Sequence, residues 1–203
     1  MTSSPAQEQK SGFCANKLLL LNLILMTVFW TSSSFNYYLI TFFLKYIPGN
    51  IFVNTSLSAI AEISAYICSS FLMKAVGPKI SFMCSFALGA VGGILLALFF
   101  YSTDVVIAVC VLFAKFGISF AFNISYLATP QMFPVELCGT AFGVCNVFAR
   151  FSTVLSPLVA ELPGVLPMTI LAISCLASAL LPVCLIIPKT DEEEVKDKEK
   201  EKE

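Results

Sequence analysis

Between residues 18 and 188 only nine side chains carry a charge: Lys45, Lys74, Lys79, Lys115 and Arg150 against Glu62, Asp104, Glu136 and Glu161. A soluble domain needs far more, about 25% charged residues, to coat its surface. Hydrophobic residues make up 58% of the chain, against ~45–50% in soluble domains. The expected class is therefore an all-α integral membrane protein.

A bilayer-crossing helix needs ~20 mostly apolar residues. Proline, glycine and charge divide the chain into six such segments, at about 18–44, 51–73, 80–100, 105–128, 135–162 and 167–187. The boundaries fall at Pro48-Gly49-Asn50, Gly77-Pro78-Lys79, Asp104, Thr129-Pro130, Pro163-Gly164 and Pro188. The expected organisation is a cytoplasmic segment 1–17, a six-helix transmembrane domain 18–188 and a charged cytoplasmic tail 189–203. The first apolar run is too long for a cleaved signal peptide, and five more follow it. With six crossings both termini share one side. That side holds Lys10, Lys17, Lys74, Lys79 and Lys189, and the other holds only Lys45. The positive-inside rule places the termini in the cytoplasm.

Several function classes drop out on inventory. With no histidine, imidazole acid–base catalysis and histidine metal sites are excluded. No basic face exists for nucleic acid. The eight cysteines are scattered singly with no Cys-x-x-Cys pair, so they read as small packing residues, and neither a metal nor a cofactor is expected. Asp104 is the only aspartate before the tail, so a paired-aspartate mechanism cannot be assembled. The chain is not expected to be an enzyme.

Six of the nine charges sit at segment ends. The other three, Glu62, Lys115 and Arg150, lie 10–15 residues inside their segments, near the middle of a ~30 Å hydrocarbon slab. Each costs on the order of 2.5–3.5 kcal/mol to insert and is tolerated where it faces a bundle interior or a watery cavity. Polar residues repeat at helical spacing around them. Lys115, Ser119, Asn123 and Tyr126 form one stripe, Asn146, Arg150, Thr153 and Pro157 a second, Ser58, Glu62 and Tyr66 a third. Trp30, Ser33, Ser34 and Tyr37 form a fourth. The third and sixth segments offer almost no polar face. The candidate solute-binding residues are Arg150, Lys115, Asn123, Tyr126, Asn146, Tyr37, Trp30 and Glu62. The bland alternative is that Glu62 pairs with Lys115 or Arg150 inside a packed bundle, which still leaves one positive charge over. Gly89 and Gly93, and Gly139 and Gly143, have small-xxx-small spacing and are expected at close helix contacts.

The run Lys115-Phe116-Gly117-Ile118-Ser119-Phe120-Ala121-Phe122-Asn123-Ile124-Ser125-Tyr126-Leu127 resembles the tenth helix of the organic cation/anion/carnitine transporters of the major facilitator superfamily. Thr129-Pro130-Gln131-Met132-Phe133-Pro134 is similar to that family's Thr-x-Glu-Leu-Phe-Pro loop, and Phe148-Ala149-Arg150-Phe151-Ser152-Thr153-Val154-Leu155-Ser156-Pro157 to its eleventh helix. Ala75-Val76-Gly77-Pro78-Lys79 stands where the family has Leu-Gly-Arg-Arg. The resemblance implies one half, helices 7–12, of a twelve-helix major facilitator fold, with the first, second, fourth and fifth segments around a central cavity. It implies alternating access by rocking one half against another, and the plasma membrane as location.

A basic residue at the Arg150 position accompanies anion or zwitterion carriage in that family, so a small organic anion or zwitterion is the implied solute. Lys115 and Arg150 against Glu62 would repel a simple cation. The expected partners are that solute, the lipid bilayer and a second six-helix half, supplied by another chain or by self-association. The loop residues depart from the family pattern: Lys74 and Pro78 replace its charged set, and Pro134-Val135-Glu136 lacks its arginine. These departures motivate the alternative of a non-transporting membrane subunit or truncated remnant with a structural role. The 203 residues suffice for one six-helix bundle and fall short of the family's twelve helices.

Overall fold

A computed structural model describes residues 17–47 and 51–185. Residues 1–16 and 186–203 and the Pro48-Gly49-Asn50 turn, including the expected charged tail, lie outside the described residues. Among the described residues there are helices and no strand: α1 (Lys17–Phe43) with a 3-10 turn η1 (Leu44–Tyr46), α2 (Ile51–Leu98), α3 (Asp104–Met132), α4 (Val135–Thr153), α5 (Ser156–Ala160), and α6 (Leu166–Leu180) with η2 (Leu181–Cys184). Five helical stretches are long and apolar enough to cross a membrane.

The second and third expected segments fall on one 48-residue element, α2. It is broken at Gly77 (φ 76°, ψ 178°), a conformation open to glycine and costly for L side chains, and Pro78 follows. The direction of each arm is fixed by its contacts with α3. In residues 51–76, Glu62 meets Lys115 and Ser69 meets Asn123, so numbers rise together. In residues 78–98, Gly89 meets Gly117 and Gly92 meets Ala114, so they run in opposition. Gly77 therefore reverses the chain, and the break needs a single residue where a loop was expected.

Three other boundaries differ from expectation. Thr129-Pro130 does not end α3, which continues to Met132. A proline this close to a helix end removes only the hydrogen bond from its own position. The expected segment 135–162 is split into α4 and α5, because Pro157 cannot donate to the preceding turn. Pro182 similarly tightens the end of α6 into η2.

Close packing of glycine faces joins α2, α3 and α6. A Cβ on Gly92 would stand 2.4 Å from the Ala114 Cα, and one on Gly117 would stand 2.5 Å from the Gly89 nitrogen. Gly93 lies against Leu171 and Ala172, and Gly89 against Cys175. Gly139 and Gly143 behave differently. A Cβ on either would meet nothing within 4 Å, so the close contact expected for them is not made by the described residues. They point to the unpacked side of α4.

Helix α1 is the centre of the bundle. Its Phe29 ring stacks on Phe82 at 4.6 Å. Its side chains or carbonyls bond α3 (Trp30 to Thr129, 3.0 Å; Ser33 with Ser125, 3.3 Å) and α4 (Ser152 to the Thr31 carbonyl, 3.3 Å). They also bond α5 (Ser156 to the Phe35 carbonyl, 3.0 Å) and α6 (Ser178 to Ser32, 2.7 Å; Ser174 to Asn36, 2.8 Å). The serine run in residues 31–34 and Asn36 thus serve interhelical bonding, which at hydrocarbon depth gives each polar group a partner.

At the opposite end of α1, exposed Lys45 and Tyr46 both donate to Glu161, one to each carboxylate oxygen. These two bonds, that from Lys45 first, hold the Glu161 carboxyl below the usual glutamate range. A depressed carboxylate contributes at pH values above its unfolded pKa of ~4.3 and loses that contribution as pH falls through the lower folded value. The clamp should therefore hold throughout pH 5–8, and being exposed it should act locally. Glu161→Gln at pH 7 should raise amide hydrogen exchange at residues 44–47 several-fold and leave the melting temperature nearly unchanged. Unaltered exchange there would show that the clamp does not order this end.

Candidate functional site

Two charged centres lie on either side of α1. In the first, Lys115 of α3 is 2% exposed. Its Nζ donates to the Thr41 hydroxyl at 2.7 Å, sits 3.6 Å from the centroid of the Tyr37 ring and 3.8 Å from Glu62 Oε2. Glu62 accepts two further bonds at Oε1, from the hydroxyls of Tyr37 (2.5 Å) and Tyr66 (2.6 Å). The carboxylate is thus supplied with two donors and a cation, and the ammonium with an acceptor, an aromatic face and an anion. That satisfies the requirement for a charge pair away from water.

Asn123, two turns along α3 from Lys115, donates to Ser69 at 2.6 Å and fastens α3 to the first arm of α2. Ser119, between them, is fully buried and its hydroxyl has no hydrogen-bond partner among the described residues. Next to this centre runs an aromatic wall. Tyr37 stacks on Phe122 at 4.9 Å, Phe122 meets Tyr126 at 5.2 Å, and Tyr126 meets Trp30 at 4.3 Å. Phe142 of α4 stands edge-on to Trp30 at 5.6 Å.

The second centre is Arg150. It lies on the unpacked face of α4 in an open groove of about 590 Å³, lined by Gly143, Asn146, Val147, Arg150, Phe151 and Val154. Its Nη1 donates to the Tyr38 hydroxyl at 3.4 Å. No carboxylate among the described residues lies within ion-pair distance of it.

Of the eight residues expected from sequence, Lys115, Glu62 and Tyr37 meet in the first centre. Trp30 and Tyr126 meet in the aromatic wall, Arg150 and Asn146 share the groove, and Asn123 bonds between helices. The two centres are bridged by neighbours in sequence: Tyr37 touches Glu62, Tyr38 touches Arg150, and their rings meet edge-on at 5.4 Å. Thr41, Tyr66 and Tyr38 complete the site; Tyr66 stood in the Ser58–Glu62 stripe but not among the candidate solute-binding residues, and Thr41 and Tyr38 were not singled out from sequence. Thr41 lies one turn beyond Tyr37, so extending the α1 stripe by four residues finds it. Among the described residues no three metal-ligating side chains come together.

Five helical stretches long and apolar enough to cross a membrane make the chain an integral, multi-pass membrane protein. Comparison with known proteins narrows the class. No family model matches the chain, but the chain is similar to members of solute carrier family 22. It is 26% identical over 174 residues to "Solute carrier family 22 member 15-like" of Xenopus laevis, a match covering 82% of the chain and 35% of that relative. It is 27% identical to human "Solute carrier family 22 member 13" (83% and 31%) and 29% identical to human "Organic cation/carnitine transporter 2" (66% and 24%). The chain thus spans about a quarter to a third of the length of these curated relatives. Each is named as a carrier or transporter, in keeping with the resemblance in α3 and α4.

Proposed function

We propose that the chain forms the carboxy-terminal six-helix half, helices 7–12, of a major facilitator transporter, and takes part in moving a small organic anion or zwitterion across the membrane by alternating access. The six crossings are α1, the two arms of α2, α3, α4 continued by α5, and α6. Their contacts alternate in direction as successive crossings require. Both termini then face the cytoplasm, and the plasma membrane is the location that the resemblance implies.

The single observation that carries the solute reading is Arg150: a guanidinium in the last turn of α4, inside the apolar stretch Val135–Ala160, in an open groove, with a tyrosine hydroxyl and, among the described residues, no carboxylate beside it. A cation at that depth needs a counter-charge, and a solute carboxylate satisfies its planar donor fork. The names of the relatives are compatible with an organic ion or carnitine-like zwitterion. The unpacked α4 face, with its two unopposed glycines, is where a second six-helix half would close the cavity, whether that half is another chain or a second copy. Uptake of a labelled organic anion by cells expressing the chain should be saturable and disappear in Arg150→Ala. Normal uptake in that variant would remove Arg150 from the site. A non-transporting subunit is the second reading, favoured by Lys74, Pro78 and Glu136 at the positions where the resembled family carries its latch charges. It predicts no saturable uptake at all.

A further inference from the structure

We infer that Glu62 sets the charge of the solute: by neutralising Lys115 it leaves Arg150, of the two cations inside the apolar spans, as the one without a carboxylate among the described residues, and restricts the site to one negative charge. This rests on the transport reading above. The site holds two cations and one anion at mid-depth, and sequence alone does not say which cation the anion serves. The geometry does. Glu62 lies 3.8 Å from Lys115, with both its oxygens engaged. Arg150 has no carboxylate among the described residues, only Tyr38. Lys115 is moreover buried at 2% exposure and occupied by Thr41 and the Tyr37 face, so it is not free to grasp a solute. Arg150 opens on the groove.

The pair and the free charge are not independent, because Tyr37 and Tyr38 join them within one turn of α1. A carboxylate bound at Arg150 meets a neutral Lys115–Glu62 pair. A second carboxylate on the same solute would have to be placed against that neutral pair with no cation to receive it. Removing the Glu62 charge alone would leave the Lys115 ammonium uncompensated, so that its field, acting without contact, favours a second carboxylate, while Gln at position 62 keeps an oxygen for the Tyr37 and Tyr66 hydroxyls. Removing both charges together would return the centre to neutrality.

The test compares radiolabelled hexanoate and adipate, which share a chain length and differ by one carboxylate, binding to the full chain in lipid nanodiscs. The wild type should favour hexanoate. Glu62→Gln should raise adipate affinity about tenfold relative to hexanoate, the order of a single unscreened charge near ~8 Å. The double variant Glu62→Gln/Lys115→Met should restore the wild-type ratio and keep hexanoate binding, which a direct anchoring role for Lys115 would not allow. An unchanged ratio in Glu62→Gln, or loss of hexanoate binding in the double variant, would overturn the inference while Arg150→Ala still abolishes binding. Binding that survives Arg150→Ala would remove Arg150 as the solute anchor, and this inference with it. Should Glu62→Gln fail to fold, Lys115→Met decides with the double variant: the uncompensated Glu62 should weaken hexanoate binding about tenfold against Glu62→Gln/Lys115→Met, and equal affinity in the two would overturn the inference.

Discussion

Gly117→Leu should leave almost no monodisperse protein on extraction from the membrane, whereas Gly139→Leu should be recovered at wild-type levels. Both changes raise intrinsic helix propensity by up to ~1 kcal/mol, so helix formation does not separate them. Packing does. At Gly117 the first added carbon already meets the Gly89 nitrogen at 2.5 Å, the Leu88 carbonyl carbon at 2.8 Å and the Gly89 Cα at 3.0 Å. All three are backbone atoms and cannot rotate away. Ordinary overpacking costs ~1–3 kcal/mol because side chains yield. Here the whole second arm of α2 would have to withdraw from α3, and Gly92 and Ala114 would lose their contact with it. At Gly139 an added carbon meets nothing within 4 Å, and changes of that kind stay within about ±0.5 kcal/mol. Size-exclusion profiles and thermal melts in one detergent compare the pair directly. A well-behaved Gly117→Leu protein would show that α2 and α3 are not packed through their glycines.

Arg150→Glu should weaken binding of a monocarboxylate by at least about a hundredfold. The exchange replaces an attraction by a repulsion, and at an effective dielectric of ~20 each is worth up to ~4 kcal/mol at contact. Arg150→Lys keeps the charge but loses the two-pronged geometry, and should fall between, about tenfold weaker than wild type. The graded order Arg, Lys, Ala, Glu distinguishes an electrostatic anchor from a packing residue, for which Lys and Ala would be equally mild in so open a groove. Equilibrium binding across the four proteins reads that order. Arg150→Glu binding the anion within twofold of wild type would remove Arg150 from the site.

Much of this was legible in the sequence because membrane insertion makes charge rare and therefore informative. The three mid-depth charges Glu62, Lys115 and Arg150, picked out by their cost in lipid, are the charges around which both centres are built. Helical spacing put Asn123 and Trp30 in polar stripes, and each bonds a neighbouring helix. What the sequence could not give was pairing. Whether Glu62 serves Lys115 or Arg150 depends on how α3 and α4 are rotated about α1, and no single-helix periodicity contains that rotation. Tyr38 was missed for the same reason, since it lies off the Trp30–Tyr37 stripe and matters only because α4 approaches that side. The glycine pairs show the limit from another direction. Gly89/Gly93 and Gly139/Gly143 have identical spacing, yet the first is packed and the second is open, because a small residue permits contact without supplying the neighbour. Pro130 was read as helix punctuation, and Pro157 as a member of a polar stripe inside one continuous segment. Only Pro157 interrupts its helix, because Pro130 lies within the last turn, where a single hydrogen bond is at stake.

The central place of α1 bears on how the chain is made. Ser32 finds its partner Ser178 only 146 residues later, and at ~5–20 residues per second the ribosome needs roughly 7–30 s to supply it. During that interval α1, with its serine run, Asn36 and Tyr37, must wait beside the translocon or a chaperone, its hydroxyls bonded to its own carbonyls. Premature release to lipid would strand those groups. Assembly of this bundle therefore waits on α6, whose emergence completes the bonding of α1.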